Sequence, residues 1–200
     1  MKTRSRTARV LHSAIVVMFL LAGCSARQPQ FVSHDASVMK DFNDRVAKYI
    51  DLHKRLAGEI PTLKDKSNPT EIAAHKVALA TAIRAARSNA KPGDIFFEGV
   101  RPQLLAIIRS EVKGAAGVDA RETIKEGNPK LEGTATKKMQ MVVNAPYPDD
   151  APLSSVPPSL LLKLPKLPEE VDYRFVGRDL ILRDVGANII VDFMTGVIPQ

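Results

Sequence analysis

Seven prolines fall between residues 145 and 168 of this 200-residue chain: Pro146, Pro148, Pro152, Pro157, Pro158, Pro165 and Pro168. Proline has no amide to donate and a fixed φ, so neither a long helix nor a central strand can run through this stretch. It therefore divides the chain into an N-terminal and a C-terminal part that must form their regular structure separately. Leu160-Leu161-Leu162 and Leu164 make it too apolar for a solvated linker. The stretch is expected to lie extended against a domain surface, with one helical turn after Pro158.

Before the prolines the pattern is helical. From Asp35 to Ala57, the residues Met39, Phe42, Val46, Tyr49, Ile50, His53 and Leu56 recur at spacings of three and four, which places them on one helix face. Gly58 and Pro61 end that helix. Asn68-Pro69-Thr70-Glu71 combines a capping asparagine, a proline suited to the first turn and an acid where a capping box needs one. It predicts a second helix to about Ser88, with Ile72, Leu79 and Ile83 on its apolar side and alanines that let the first helix approach. A third helix is expected from a cap at Asp94 through the stripe Val100, Leu104, Ile107, Ile108 and Val112 to Gly114. A short fourth runs from Asp119 to Lys125, and Glu126 to Lys138 reads as a loop.

After the prolines the signal is β. Tyr173-Arg174-Phe175-Val176, Leu180-Ile181-Leu182 and Ile189-Ile190-Val191-Asp192-Phe193 are three short runs. Gly177-Arg178 and Val185-Gly186-Ala187 separate them, predicting an antiparallel meander. Met139 to Asn144 is a candidate fourth strand. The fold class is thus α+β: an N-terminal helical layer of three or four helices over residues 35–138, with residues 139–200 forming the proline-rich wrap and meander of the same domain. There is no tryptophan, so packing rests on Leu, Ile, Val and Ala.

The start of the chain has a different character. Lys2, Arg4, Arg6 and Arg9 form a basic region without acids, and Ala14 to Ala22 is uninterruptedly apolar. Those nine residues would rise only about 14 Å as a helix, against roughly 30 Å of bilayer hydrocarbon. The order is that of a secretory signal, not a permanent span. Leu21-Ala22-Gly23-Cys24 resembles the lipobox of bacterial lipoproteins. The resemblance covers the first 25 residues and implies that Cys24 is lipidated and becomes the first residue after cleavage. Residues 1–23 would then be signal peptide and 24–34 a polar tether. Two or three acyl chains make a durable anchor where one is marginal. Ser25 stands where an aspartate would favour inner-membrane retention in that family, which points to the outer membrane, facing the periplasm. The Asn-Ala-Pro-Tyr-Pro run and the β block after it are also loosely similar to a segment of uncharacterised bacterial proteins, a likeness that implies no activity.

Charge and reactive groups narrow the function. The formal +7 includes the four cations of the signal, and their removal leaves +3 over 177 residues, without a basic stripe carrying interleaved aromatics. Nucleic acid is not an expected partner. With Cys24 lipidated no thiol remains, so no disulfide, thiolate nucleophile or cysteine metal site is expected. His34, His53 and His75 have no second histidine at ligand spacing, and no metal or cofactor is expected. Ser37/Lys40 and Ser110/Lys113 match S-x-x-K, but the companion motifs of serine-acylating enzymes are absent. Asp149-Asp150 and Glu169-Glu170 are loop neighbours rather than facing carboxyls. Asp172, Asp179, Asp184 and Asp192, alternating with Arg174, Arg178 and Arg183, read as cross-strand ion pairs. His53 reads as a packing residue bonded to a backbone carbonyl or to water, able to meet His75 between the first two helices. No catalytic residue is assigned. The sequence favours a membrane-anchored, non-enzymatic envelope component that binds another envelope protein or braces an assembly. The alternative is a small envelope hydrolase whose site is assembled by the fold.

Overall fold

A computed structural model describes residues 31–115, 117–128, 139, 141–149 and 151–199. The signal region, Cys24, residues 24–30 of the expected tether and most of the 126–138 loop lie outside the described residues.

The helical layer consists of α1 (Phe31–Gly58), α2 (Pro69–Ala86), α3 (Arg101–Val112) and α4 (Val118–Lys125), and a single turn, α5 (Pro158–Leu161), sits in the proline stretch. Among the described residues three strands complete it, β1 (Val171–Val176), β2 (Asp179–Asp184) and β3 (Ile189–Met194), in an antiparallel meander of order β1-β2-β3. The α+β architecture read from periodicity is the one observed.

Helix α1 begins four residues before Asp35, so residues 31–34, His34 among them, are helical rather than tether. Nothing between Pro29 and Gly58 breaks a helix, which accounts for the extension. Its stripe is core: Phe42, Val46, Tyr49, Ile50, His53 and Leu56 are all buried. The Phe42 ring stacks on Phe96, which stacks in turn on Tyr173 of β1, with centroids 5.9 and 6.4 Å apart. Helix α2 opens with the expected capping box, the Glu71 amide donating to Asn68 Oδ1 and the Asn68 amide to Glu71 Oε2, both at 3.0 Å. Leu79, Ala80 and Ile83 are buried, but Ile72, one turn in, is half exposed.

Asp94 does not cap α3. Its carboxylate accepts from the Lys91 amide, within a turn that runs on to Val100. The fourth-strand expectation also shifts. Residues 139 and 141–144 form no strand, and contact with β3 is made instead by 144–147. There the Asn144 amide donates to the Ile190 carbonyl, Ile190 to Ala145 and Tyr147 to Asn188, around a single bridge at Pro146. Pro146 and Pro148 have no amides to extend that ladder.

The sheet is covered on both faces. Phe175, Leu180, Leu182, Ile189 and Met194 face the helices, whereas Val176, Ile181 and Ile190 pack under Tyr147 and Ala151 of the proline stretch. The register slips between Leu182 and Arg183, so β3 carries one extra residue. A bulge of this kind re-aims side chains. Here Val191 packs in the helix-side core and the next residue, Asp192, also reaches helix-side backbone, at the turn before α3.

Candidate functional site

The polar centre of the molecule lies between α1 and the β2–β3 connection. Alternation along β2 puts Asp184 on the helix-facing side with Leu180 and Leu182, fully buried. Helical spacing puts Tyr49 and His53 one turn apart on α1, facing it. The Tyr49 hydroxyl donates to Asp184 Oδ2 at 2.6 Å, and His53 Nδ1 lies 2.6 Å from the same oxygen. A carboxylate only accepts, so Nδ1 carries the proton. The Ala187 amide donates to the other oxygen, Oδ1, also at 2.6 Å. Gly186 makes the loop's approach possible: a Cβ there would stand 3.3 Å from His53 Cε1 and 3.4 Å from Leu79.

These contacts shift the titrations. The hydrogen bond to Asp184 raises the His53 pKa above its ordinary value, against an opposing effect of burial and with smaller help from the Asp184 and Glu170 charges. Burial, and then the Asp184 charge, push the Tyr49 hydroxyl far above its usual range. Glu170 stands at the edge of this cluster. Burial works against its charge, but the hydrogen bond from Lys54, whose Nζ is 3.0 Å from Oε1, leaves its pKa lowered. Its Oε2 is the one buried side-chain polar atom without a partner among the described residues.

Asp192 forms the second buried acid site. Oδ1 accepts from the Gly93 amide at 2.9 Å and from its own neighbour Phe193 at 2.8 Å. Oδ2 accepts from the Ile95 and Phe96 amides, both at 2.8 Å. On the opposite face of the sheet, Asp172 holds two guanidiniums: Arg183, its cross-strand neighbour, at 3.1 and 2.8 Å, and Arg174 at 2.9 and 2.8 Å.

The expected cross-strand ion pairing therefore describes Asp172 but not Asp184 or Asp192, whose partners come from helices and loops. Asp179 binds the Gly196 amide. His53 is buried and hydrogen-bonded as expected, but to a carboxylate instead of a carbonyl or water. It does not share a site with His75, whose Nδ1 lies 3.1 Å from the Pro61 carbonyl oxygen in a 400 Å³ cleft under the α1–α2 loop. Glu71 lines that cleft too, and its carboxylate is already engaged in the capping box. Of the two S-x-x-K matches, Lys40 pairs with Asp44, and the Ser110 hydroxyl donates to the Ile107 carbonyl. Asp149 pairs with Lys76. Among the described residues, no three His, Cys, Asp or Glu side chains gather where a metal could bind. Cys24 lies outside the described residues.

Sequence reasoning missed the two buried acids as separate structural centres. The available signal was a lone carboxylate inside an apolar run, Ile190-Val191-Asp192-Phe193, which in a strand buried on both faces must find donors.

Chemically, the Asp184–His53 pair has the Nδ1–carboxylate geometry of an oriented base. Among the described residues no hydroxyl bonds to His53, and it lines none of three clefts on the surface. Two of those clefts lie elsewhere on the surface. One, about 510 Å³, runs along the Val171–Arg174 segment of β1 beneath Val156, Leu161 and Leu167. Next to Leu161 in sequence, Leu162 is 88% exposed. The other, about 480 Å³, lies between α1 and the turn after α2. No protein-family model, curated protein or solved structure matches the chain.

Proposed function

We propose that this chain is a lipid-anchored envelope protein, held to a membrane through Cys24 and facing the periplasm, that works by binding or bracing another envelope protein. One observation carries the non-enzymatic part of the reading. Asp184 and Asp192, the two fully buried acids among the described residues, spend their oxygens on structural donors: Tyr49, His53 and Ala187 for one, four backbone amides for the other. Both acids tie distant segments to the sheet, and Asp192, spent on four backbone amides, has little left for a substrate. The proline stretch supports the binding part, because Leu153, Leu161 and Leu162 remain exposed on it and apolar surface of that kind is where partners dock.

The anchor is tested by fatty-acid labelling. Wild-type protein should incorporate label, and Cys24→Ala should abolish it and leave uncut precursor or soluble product; an unlabelled wild type would refute the anchor. Binding is tested by crosslinking in intact cells, comparing wild type with Leu161→Asp/Leu162→Asp. A specific adduct lost in that variant is expected. A second reading, a small envelope hydrolase, is favoured by the Asp184–His53 pair alone and would require His53→Gln to destroy an activity while leaving the melt unchanged.

A further inference from the structure

The cleft between α1 and the turn after α2 has an unusual charge arrangement. It is an open cleft of about 480 Å³, a volume within the range of small-molecule sites, lined by Asp41, Arg45, Lys48, Tyr49, Leu52, Arg87, Asp94 and Ile95. Arg87, at the C-cap of α2, reaches across to the sheet. Its Nη1 donates to Asn144 Oδ1 at 2.9 Å and its Nη2 to the Val191 carbonyl at 3.1 Å, and its guanidinium lies 5.0 Å from the centroid of the Tyr49 ring. All three partners are neutral. The carboxylates of Asp192, Asp94 and Asp184 act on it only through space, and burial depresses its pKa. A guanidinium has five N–H donors, and two of these are used among the described residues.

Lys48, exposed at the mouth of the same cleft, forms no ion pair among the described residues either. The acids on the rim are otherwise engaged. Asp41 takes Arg45 at 3.1 and 3.2 Å, and Asp94 accepts from the Lys91 amide. Among the described residues, the cleft thus presents two cations without carboxylate partners, one of them half-buried and fixed by two hydrogen bonds. A half-buried guanidinium with spare donors is where a charge-assisted hydrogen bond gains most.

We propose that this cleft is a binding site for a small organic oxyanion, a phosphate or a carboxylate, held between the Arg87 guanidinium and the Lys48 ammonium with its apolar body against Leu52 and Ile95. The site is separate from the apolar proline stretch and does not depend on the binding role assigned to it. The oxyanion could belong to a soluble metabolite or to a phospholipid headgroup of the membrane to which the chain is tethered.

The test is calorimetric titration of the full-length chain, in neutral-detergent micelles, with phenyl phosphate and with benzoate, phenol serving as the uncharged control. Saturable binding of either anion and none of phenol is expected. Lys48→Gln, an exposed change that removes no ion pair or hydrogen bond among the described residues, should weaken binding about tenfold, and Arg87→Gln should abolish it. Should Arg87→Gln fail to fold, Lys48→Gln decides alone. Absence of saturable binding to both anions, or affinity unchanged in Lys48→Gln, would overturn the site. Repeating the titration in phosphatidylglycerol and phosphatidylcholine nanodiscs identifies the source. Affinity reduced by the lipid phosphates means that headgroups reach the cleft, and equal affinity to that in micelles assigns it to soluble anions; either outcome supports an oxyanion site.

Discussion

The two faces of the sheet bury their carboxylates in opposite ways. On the outer face, Asp172 is a quarter exposed and holds Arg174 and Arg183, charge against charge within the sheet itself. On the helix-facing side, Asp184 and Asp192 are fully buried, and neither forms an ion pair with lysine or arginine among the described residues. Their partners are a phenol, an imidazole and backbone amides supplied by α1 and by the turns at 93–96 and 187. The outer network ties strand to strand. The inner acids tie the sheet to α1 and to the turn before α3, both distant in sequence. A partly exposed ion-pair network contributes modestly, whereas a buried acceptor whose donors cannot move is expensive to remove.

That contrast predicts a ranking. Asp192→Ala should have the largest effect, because it leaves the amides of Gly93, Ile95, Phe96 and Phe193 without their acceptor in the interior. At about 1–3 kcal/mol for each orphaned donor, urea denaturation should show a loss of about 4 kcal/mol or more. Asp172→Asn should cost less, about 1–2 kcal/mol, since Asp172 and Arg174 are each about a quarter exposed and the buried Arg183 keeps its bond to Asn188 Oδ1 at 3.0 Å. If the two losses were equal, the distinction between the faces would fail. Lys40→Ala removes an exposed pair with Asp44 on α1 and should leave the denaturation midpoint unchanged.

The same contrast separates what could be read in the sequence from what could not. The α1 stripe from Phe42 to Leu56, the capping box at Asn68 and Glu71 and the Gly177 hairpin were legible because each is set by residues within a few positions of one another. Gly177 takes φ 63, the left-handed geometry that its two-residue turn requires. The Asp184 and Asp192 sites were illegible because they depend on contacts across the fold and, for Asp192, on a bulge that no local pattern announces. Asn144 belongs to the same class. Read as the end of a strand, it instead takes φ 66 and joins Arg84 and Arg87 of the α2 end to the edge of β3. His53 falls between the two classes: its place on the buried face was legible, its partner was not.

His53 is therefore the residue at which the joint between helices and sheet is most directly tested. Its folded-state pKa is raised above the unfolded value, so its bond to Asp184 stabilises the protein fully below about pH 6.5 and less as the pH rises through the folded-state pKa. If His53 and Asp184 are a structural joint, wild-type protein should lose melting temperature across that rise. His53→Gln should start lower and show no such slope. The measurement is a pair of thermal melts at matched ionic strength, wild type against His53→Gln, from mildly acidic to mildly alkaline pH. A mutant that melts with the wild type at every pH would contradict the joint and return His53 to the candidates for chemistry.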